Sequence, residues 1–265
     1  MRHPFDVDTA VAAAGDGLFN ATLTDRWNRL LGGPLGGYQI AVCLQALRQT
    51  MPFPDPLVFS AFFLRPAQVG PAEDRTTTVR TGRRMATGEA SLVQEGKEGV
   101  RLLATFTDLG EATGRTEELG TPPDLPSPED GIDPLAGLSI DGVSIAERLE
   151  YRVATPPGWL RGQPSGRPSA DVWVRLKGGR EPDLPTLALL VDALPLAILE
   201  LGEPGSTTLE LTAHLRARPA PGWLACHNET RHVDDGMHEE DVEVWDSRGR
   251  LVAQSRQLAV LASHG

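Results

Sequence analysis

The chain has 265 residues, with 25 Lys and Arg against 36 Asp and Glu, a net charge of −11, 40% hydrophobic and 23% charged residues. Those proportions describe a soluble globular protein of one large or two ordinary domains, and the acidic balance leaves no basic excess to displace counterions from nucleic acid. Residues 1–16 hold no signal-like apolar run, and the longest apolar stretch, 187–199, is interrupted by Pro195 and too short to span a bilayer. The expected location is therefore the cytoplasm, with Cys43 and Cys226 as two buried thiols and no disulfide.

In chain order, a strand is expected over 19–27. Gly32-Gly33-Pro34-Leu35-Gly36-Gly37 then breaks the chain, and Ile40, Cys43, Leu44 and Leu47 recur at helical spacing through residue 50. Strands follow over 58–65, 76–83, 86–95 and 100–108, the last pair joined near Glu98-Gly99. Residues 110–137 carry five prolines among acids and glycines and read as a linker running over the surface. Beyond it come strands over 147–153 and 170–177, separated by a Pro/Gly-rich loop at 155–168. A long apolar helix over about 186–201 precedes strands at 207–218, 223–233, 239–245 and 251–261, with a turn at Arg248-Gly249.

The order repeats. Phe62-Phe63-Leu64-Arg65-Pro66 closes one strand and Leu215-Arg216-Ala217-Arg218-Pro219 another, 153 residues later; each follows a helix and precedes roughly three strands. A period this long means tandem domains, not a solenoid of short units. The second helix is apolar on nearly every side, so a sheet must wrap around it. The fold class expected is α+β: a double hotdog, two antiparallel sheets each wrapped around a long apolar helix. The domains are residues 1–109, a linker over 110–140, and residues 141–265, and the interface between halves is where a ligand cleft is expected.

Asp192 is the one ionisable residue within 187–199. A carboxylate in such surroundings is costly unless paired or facing a wet cleft, which makes it a candidate site residue; capping a break made by Pro195 is the competing explanation. Thr208, Glu210, Thr212, His214 and Arg216 alternate with Leu209, Leu211, Ala213 and Leu215, placing the polar five on one strand face, mostly as a solvated surface. Gln257 sits on a face with Ala253, Ser255 and Ala259 and needs hydrogen-bond partners if buried. His232 and His238 beside Glu239, Glu240 and Asp241 match no metal-ligand spacing and read as a solvated hairpin. Gly32–Gly37 lacks the P-loop Lys and the GxGxxG spacing, leaving close packing or helix N-terminal amides as its use. No Gly-x-Ser-x-Gly elbow is present.

Taken together, these residues resemble the acyl-CoA thioesterase II family of double-hotdog thioesterases over almost the whole chain. The likeness rests on Leu31-Gly32-Gly33, Gly36-Gly37-Tyr38-Gln39, Phe59–Pro66, Val191-Asp192-Ala193-Leu194, Glu203-Pro204-Gly205, Arg218-Pro219 and the final strand from Gly249 to Gln257. The resemblance implies hydrolysis of an acyl-CoA or related acyl thioester, with no cofactor and no metal, by a protein that associates into homo-oligomers. Asp192 and Gln257 match the family's Asp and Gln, which activate and hold a water together with a hydroxyl; Thr208 and Thr212 are the nearest hydroxyls. Gly36, Gly37 and Tyr38 would meet the substrate. The family's usual Asp-His pair is missing from this strand, where Glu210-Leu211 stands near its place, which leaves open a non-catalytic acyl-CoA-binding protein. A hydratase or dehydratase is a third reading, set back by the lack of a His between Asp192 and His214.

Overall fold

A computed structural model describes residues 2–138 and 142–262. The first half contains helix α1 (Pro4–Asp8), strands β1 (Ala12–Gly15) and β2 (Leu18–Leu23), helix α2 (Gly36–Thr50), and strands β3 (Asp55–Phe63), β4 (Gly70–Thr81), β5 (Ala86–Gln94) and β6 (Lys97–Thr107). The second contains β7 (Leu149–Arg152), β8 (Ser169–Leu176), helix α3 (Leu184–Leu190), β9 (Ser206–Leu215), β10 (Leu224–Glu229), β11 (Val233–Asp234), β12 (Met237–Trp245) and β13 (Leu251–Leu261).

The strands pair antiparallel in the order β1-β2-β4-β5-β6-β3-β9-β13-β12-β10-β8-β7, with β11 hung on β12. Read outward from the centre, β3-β6-β5-β4 in one half matches β9-β13-β12-β10 in the other, which is the repeat visible in the sequence. The two sheets expected are thus joined edge to edge into one: β3 pairs with β9, Phe59 facing Ala213 and Ala61 facing Leu211. That pairing removes two exposed edges from the middle of the molecule. The double-hotdog α+β architecture holds, with α2 buried along most of its length against the curled strands of its half. Phe5, Trp27 and Tyr38 form an aromatic cluster at the end of this core, with Trp27 stacked on Tyr38 at 5.8 Å between centroids.

Four elements differ from expectation. The second helix is not continuous: α3 stops at Leu190, residues 191–194 form a tight turn, and a 3-10 helix resumes at Ala197–Leu201. Pro195 is the cause, because it lacks an N–H and disfavours helical backbone at the residue before it. The last turn tightens accordingly, with Asp192 and Ala193 donating to Leu189 and Leu190 three residues back. The β5–β6 turn lies at Glu95-Gly96, both in left-handed backbone, and not at Glu98-Gly99. The linker does cross the surface but is anchored on the second half, where Trp173 Nε1 donates to the Pro126 carbonyl at 2.8 Å and Ile132 bridges to Val153. Its expected end at 139–140 lies outside the described residues. Lastly, the hairpin expected to be solvated around His238 is turned half inward: His238 and Glu240 are each 2% exposed, while His232, Glu239 and Asp241 face outward.

Candidate active site

A cavity of about 400 Å3 opens between the halves. Residues 29–36 and 63–67 line it from the first half, and the linker adds Pro134 and Leu135. The second half supplies Tyr151, Trp159, Val172, the turn from Asp192 to Ala197, and Thr208. Its lining is mostly apolar with a few convergent polar groups, the usual make-up of a small-molecule site.

Asp192 sits where α2 and α3 meet. Its Oδ2 accepts the N–H of Gly37 at 2.6 Å, in the first turn of α2. That helix has no capping side chain of its own, since Leu35 stands at the N-cap; the cap comes from the other half of the chain. Close approach explains the two glycines. A Cβ on Gly37 would lie 2.5 Å from the Leu189 carbonyl, and one on Gly36 would lie 2.7 Å from the Phe63 ring and 2.9 Å from Asp192 Oδ2. Asp192 borders the cavity, yet its carboxyl lies deep enough that loss of water raises its pKa to about 7 against the opposing pull of the Gly37 N–H and the positive charge of Arg29.

Thr208 and Thr212 do not share a face. The register of β9 against β13 slips between Glu210, opposite Leu258, and Thr208, opposite Ala259, so Leu209 is an extra residue. A bulge of this kind re-aims the side chains beyond it. Leu211, Ala213 and Leu215 point into the core, and Thr212 points outward, where it donates to Glu210 Oε1 at 2.5 Å and lies 2.9 Å from Ser60 Oγ, which donates to the same carboxylate oxygen. Past the bulge Thr208 turns inward, borders the cavity and donates to Gln257 Oε1 at 3.0 Å. Gln257 is 4% exposed, on the inner face of β13. Asp192 and Thr208 therefore share the cavity with Gln257 bonded behind Thr208, while Thr212, Glu210 and His214 belong to the opposite surface.

Of the three residues at the start of α2, Gly36 borders the cavity and Gly37 supplies the N–H held by Asp192. Tyr38 points away: it is buried, its hydroxyl donates to the Asp8 carbonyl at 2.9 Å, and it does not line the cavity. Gln39, the first-half counterpart of Asp192, does line the cavity and donates to the Pro34 carbonyl at 3.0 Å.

The sequence reading missed two polar groups beneath the site. Glu240 on β12 accepts the Ala197 N–H at 2.9 Å, and Asn228 on β10, fully buried, donates to the Pro195 carbonyl at 2.9 Å. Burial raises the Glu240 pKa to about 7, and the neighbouring Asp192 carboxylate pushes in the same direction. The signal was present: His238, Glu240, Val242 and Val244 share one face by strand alternation, so two polar residues lie on a face that carries core valines.

Two family descriptions match consecutive stretches of the chain, the acyl-CoA thioesterase N-terminal domain over residues 23–107 and the acyl-CoA thioesterase C-terminal domain over residues 119–261. An uncharacterised protein of Mycobacterium tuberculosis strain H37Rv is 29% identical over 283 aligned residues, covering 97% of this chain and 95% of its own. A crystal structure of a candidate thioesterase II from Thermobifida fusca shares 30% identity and 98% of each chain at a TM-score of 0.89. A hot dog fold protein of unknown function from Alicyclobacillus acidocaldarius aligns over the whole of both chains at 23% identity and a TM-score of 0.86, a likeness of fold alone. On the family matches, which together span most of its length, the chain belongs to the acyl-CoA thioesterase family.

Proposed function

We propose that the protein hydrolyses an acyl-CoA, or a closely related acyl thioester, to the free acid and thiol, with Asp192 as general base. The observation that carries this reading is the contrast between the two carboxyls that border the apolar cavity: Glu200 is held below its ordinary value, its own burial outweighed by the N–H groups of Ser165, Trp159 and Gly158, whereas burial holds the ionisation of Asp192 near neutrality. A base working near neutral pH needs that tuning. Water placed between Asp192 and Thr208 attacks the thioester carbonyl and gives its proton to Asp192; Gln257 fixes the orientation of Thr208. The N-terminus of α2, whose first N–H groups have no intrahelical acceptor, supplies the positive pole that stabilises the oxyanion. Collapse of the tetrahedral intermediate breaks the C–S bond, and the protonated Asp192 returns its proton to the departing sulfur.

Two features weigh against the competing readings. Glu210 and Leu211, near the place of the family's missing Asp-His pair, face the outer surface and the core; neither lines the cavity, so the departure does not favour a binding-only protein. No histidine lines the cavity among the described residues, which leaves dehydratase chemistry without its usual second group.

The test is thiol release from a panel of acyl-CoA thioesters of graded chain length. With the best substrate, kcat rises with pH through about 7 as Asp192 loses its proton, and Asp192→Asn lowers kcat by roughly 10²–10⁴-fold. Full hydrolysis by the Asn variant would falsify the assignment of the base.

A further inference from the structure

The turn that carries Asp192 is held from below by four strands. Tyr151 on β7 donates its hydroxyl to the Ala193 carbonyl at 3.4 Å, and Ser255 on β13 donates to the Val191 carbonyl at 3.3 Å. Asn228 on β10 holds the Pro195 carbonyl, and Glu240 on β12 holds the Ala197 N–H. A helix broken by proline frees backbone groups that would be left unpaired in a buried place, and each such group is expensive unless satisfied. These side chains satisfy them, and by doing so they fix the direction in which Asp192 leaves the break.

We propose that Glu240 is a positioning residue for Asp192, and that it acts as a neutral hydrogen-bonding acid holding the Ala197 N–H while Asp192 carries the negative charge. This rests on the reading of Asp192 as the base. Both carboxyls are buried, Asp192 in the break and Glu240 on the Ala197 N–H five residues along, and a charge on Asp192 opposes one on Glu240. Asp192 is the better-stabilised anion. It accepts a 2.6 Å bond at the N-terminus of a 15-residue helix and feels the charge of Arg29. Glu240 has one good donor, Ala197, and a long contact of 3.5 Å from Asn228. The charge of Asp192, at the other side of the same break, opposes its ionisation, Gln257 stands opposite it on β13, and His238, whose pKa burial lowers, lies two residues away on its own strand. Among the described residues no Lys or Arg bonds to it. A second negative charge there would oppose the base; a neutral acid does not.

The experiment compares Glu240→Gln with Glu240→Leu. The amide keeps an acceptor for the Ala197 N–H without a charge, so kcat stays within about threefold of wild type. Leucine keeps the volume but not the acceptor, so kcat falls roughly tenfold or more with KM within about twofold, as expected for a mis-aimed catalytic group. Tm falls as well, because the Ala197 N–H is left unpaired in a buried place, so kcat is read per folded molecule. A merely structural role would lower Tm and leave kcat per folded molecule unchanged. Asn228→Ala, which releases the Pro195 carbonyl, lowers kcat in the same direction and serves if the leucine variant does not fold. The proposal is overturned if Glu240→Leu keeps wild-type kcat, or if Glu240→Gln falls as far as Glu240→Leu. Infrared spectra taken near neutral pH decide the protonation without turnover. A buried carboxylic-acid band present in wild type and absent from Glu240→Gln supports the neutral acid, and its absence from wild type sinks it. A wild-type protein that hydrolyses no thioester refutes the proposed function alone, and the infrared difference still decides the state of Glu240.

Discussion

Thr208 and Thr212 are four residues apart on β9, and on a regular strand they would share a face. The alternation in the sequence says as much, and from it alone the two hydroxyls are equivalent. The bulge at Leu209 separates them, and it arises from the register of β9 against β13, a property of two strands whose residues at the bulge, Glu210 and Leu258, are 48 positions apart in the chain, which no local pattern encodes. The consequence is testable at single residues. Thr208→Val removes the cavity hydroxyl and the bond to Gln257, and should lower kcat by roughly tenfold or more with the best acyl-CoA. Thr212→Val touches only the outer network with Ser60 and Glu210 and should leave kcat within about twofold. A reversed pattern, with Thr212→Val the more damaging, would place the water on the wrong side of the sheet. Asp192, by contrast, was legible at once, because one acid in a run of aliphatic residues stands out whatever the fold.

The helix that carries Asp192 shows why position was easier to read than shape. The apolar run and Pro195 were both visible, and each of the two explanations for Asp192 describes part of the outcome: the proline does break the helix, and the acid at the break does face the cavity. Asp192 also caps a helix, but α2 of the other half and not its own. That depends on how closely the two helices approach, which the pair Gly36-Gly37 permits. Gly37→Ala forces a Cβ to within 2.5 Å of the Leu189 carbonyl, so α2 and α3 must move apart and the Gly37 N–H must leave Asp192. The expected result is a loss of about 1–3 kcal/mol in stability, as for other overpacked sites. It should come with a fall in kcat and an acid limb displaced to higher pH, since the N–H that favours the carboxylate is weakened. Thermal melts and a pH–rate profile check both. A variant that is less stable but keeps the wild-type pH profile would show that the N–H contributes nothing to the tuning.

At the scale of the whole molecule, three carboxyls among the described residues sit in places that resist their charge. Asp74, on β4 with the Cys43 thiol beside it, is raised by burial to about 6; Asp192 and Glu240 are each raised to about 7. Each folded pKa lies above its ordinary value, so the folded chain binds these protons more tightly than the unfolded chain does. Stability is therefore lowest above about pH 7, rises as the pH falls through 7 and 6, and is fully gained once the pH is below the ordinary carboxylate range. Carboxylates of the opposite kind set the lower limit. Asp183 is held below its ordinary value, its own burial outweighed by hydrogen bonds from Arg180 and Thr186, and Asp241 is held down by Arg256 and Arg231. Their contribution is present above about pH 4 and is lost as the pH falls through their folded values. The two groups together predict a stability maximum near pH 5, with Tm roughly 5–10 °C higher there than at pH 8. Asp74→Asn, distant from the cavity lining, should raise Tm at pH 8 and change it little at pH 5, flattening the alkaline side of the curve. A Tm that is constant from pH 5 to 8, or that falls on mild acidification, would mean that the buried carboxyls do not titrate in the folded protein as their surroundings require. The cost carried at neutral pH by Asp192 has a use in the proposed chemistry, and that of Glu240 follows from its place beneath the same turn. Asp74 has no such outlet, which makes it a residue at which stability can be gained without touching the cavity.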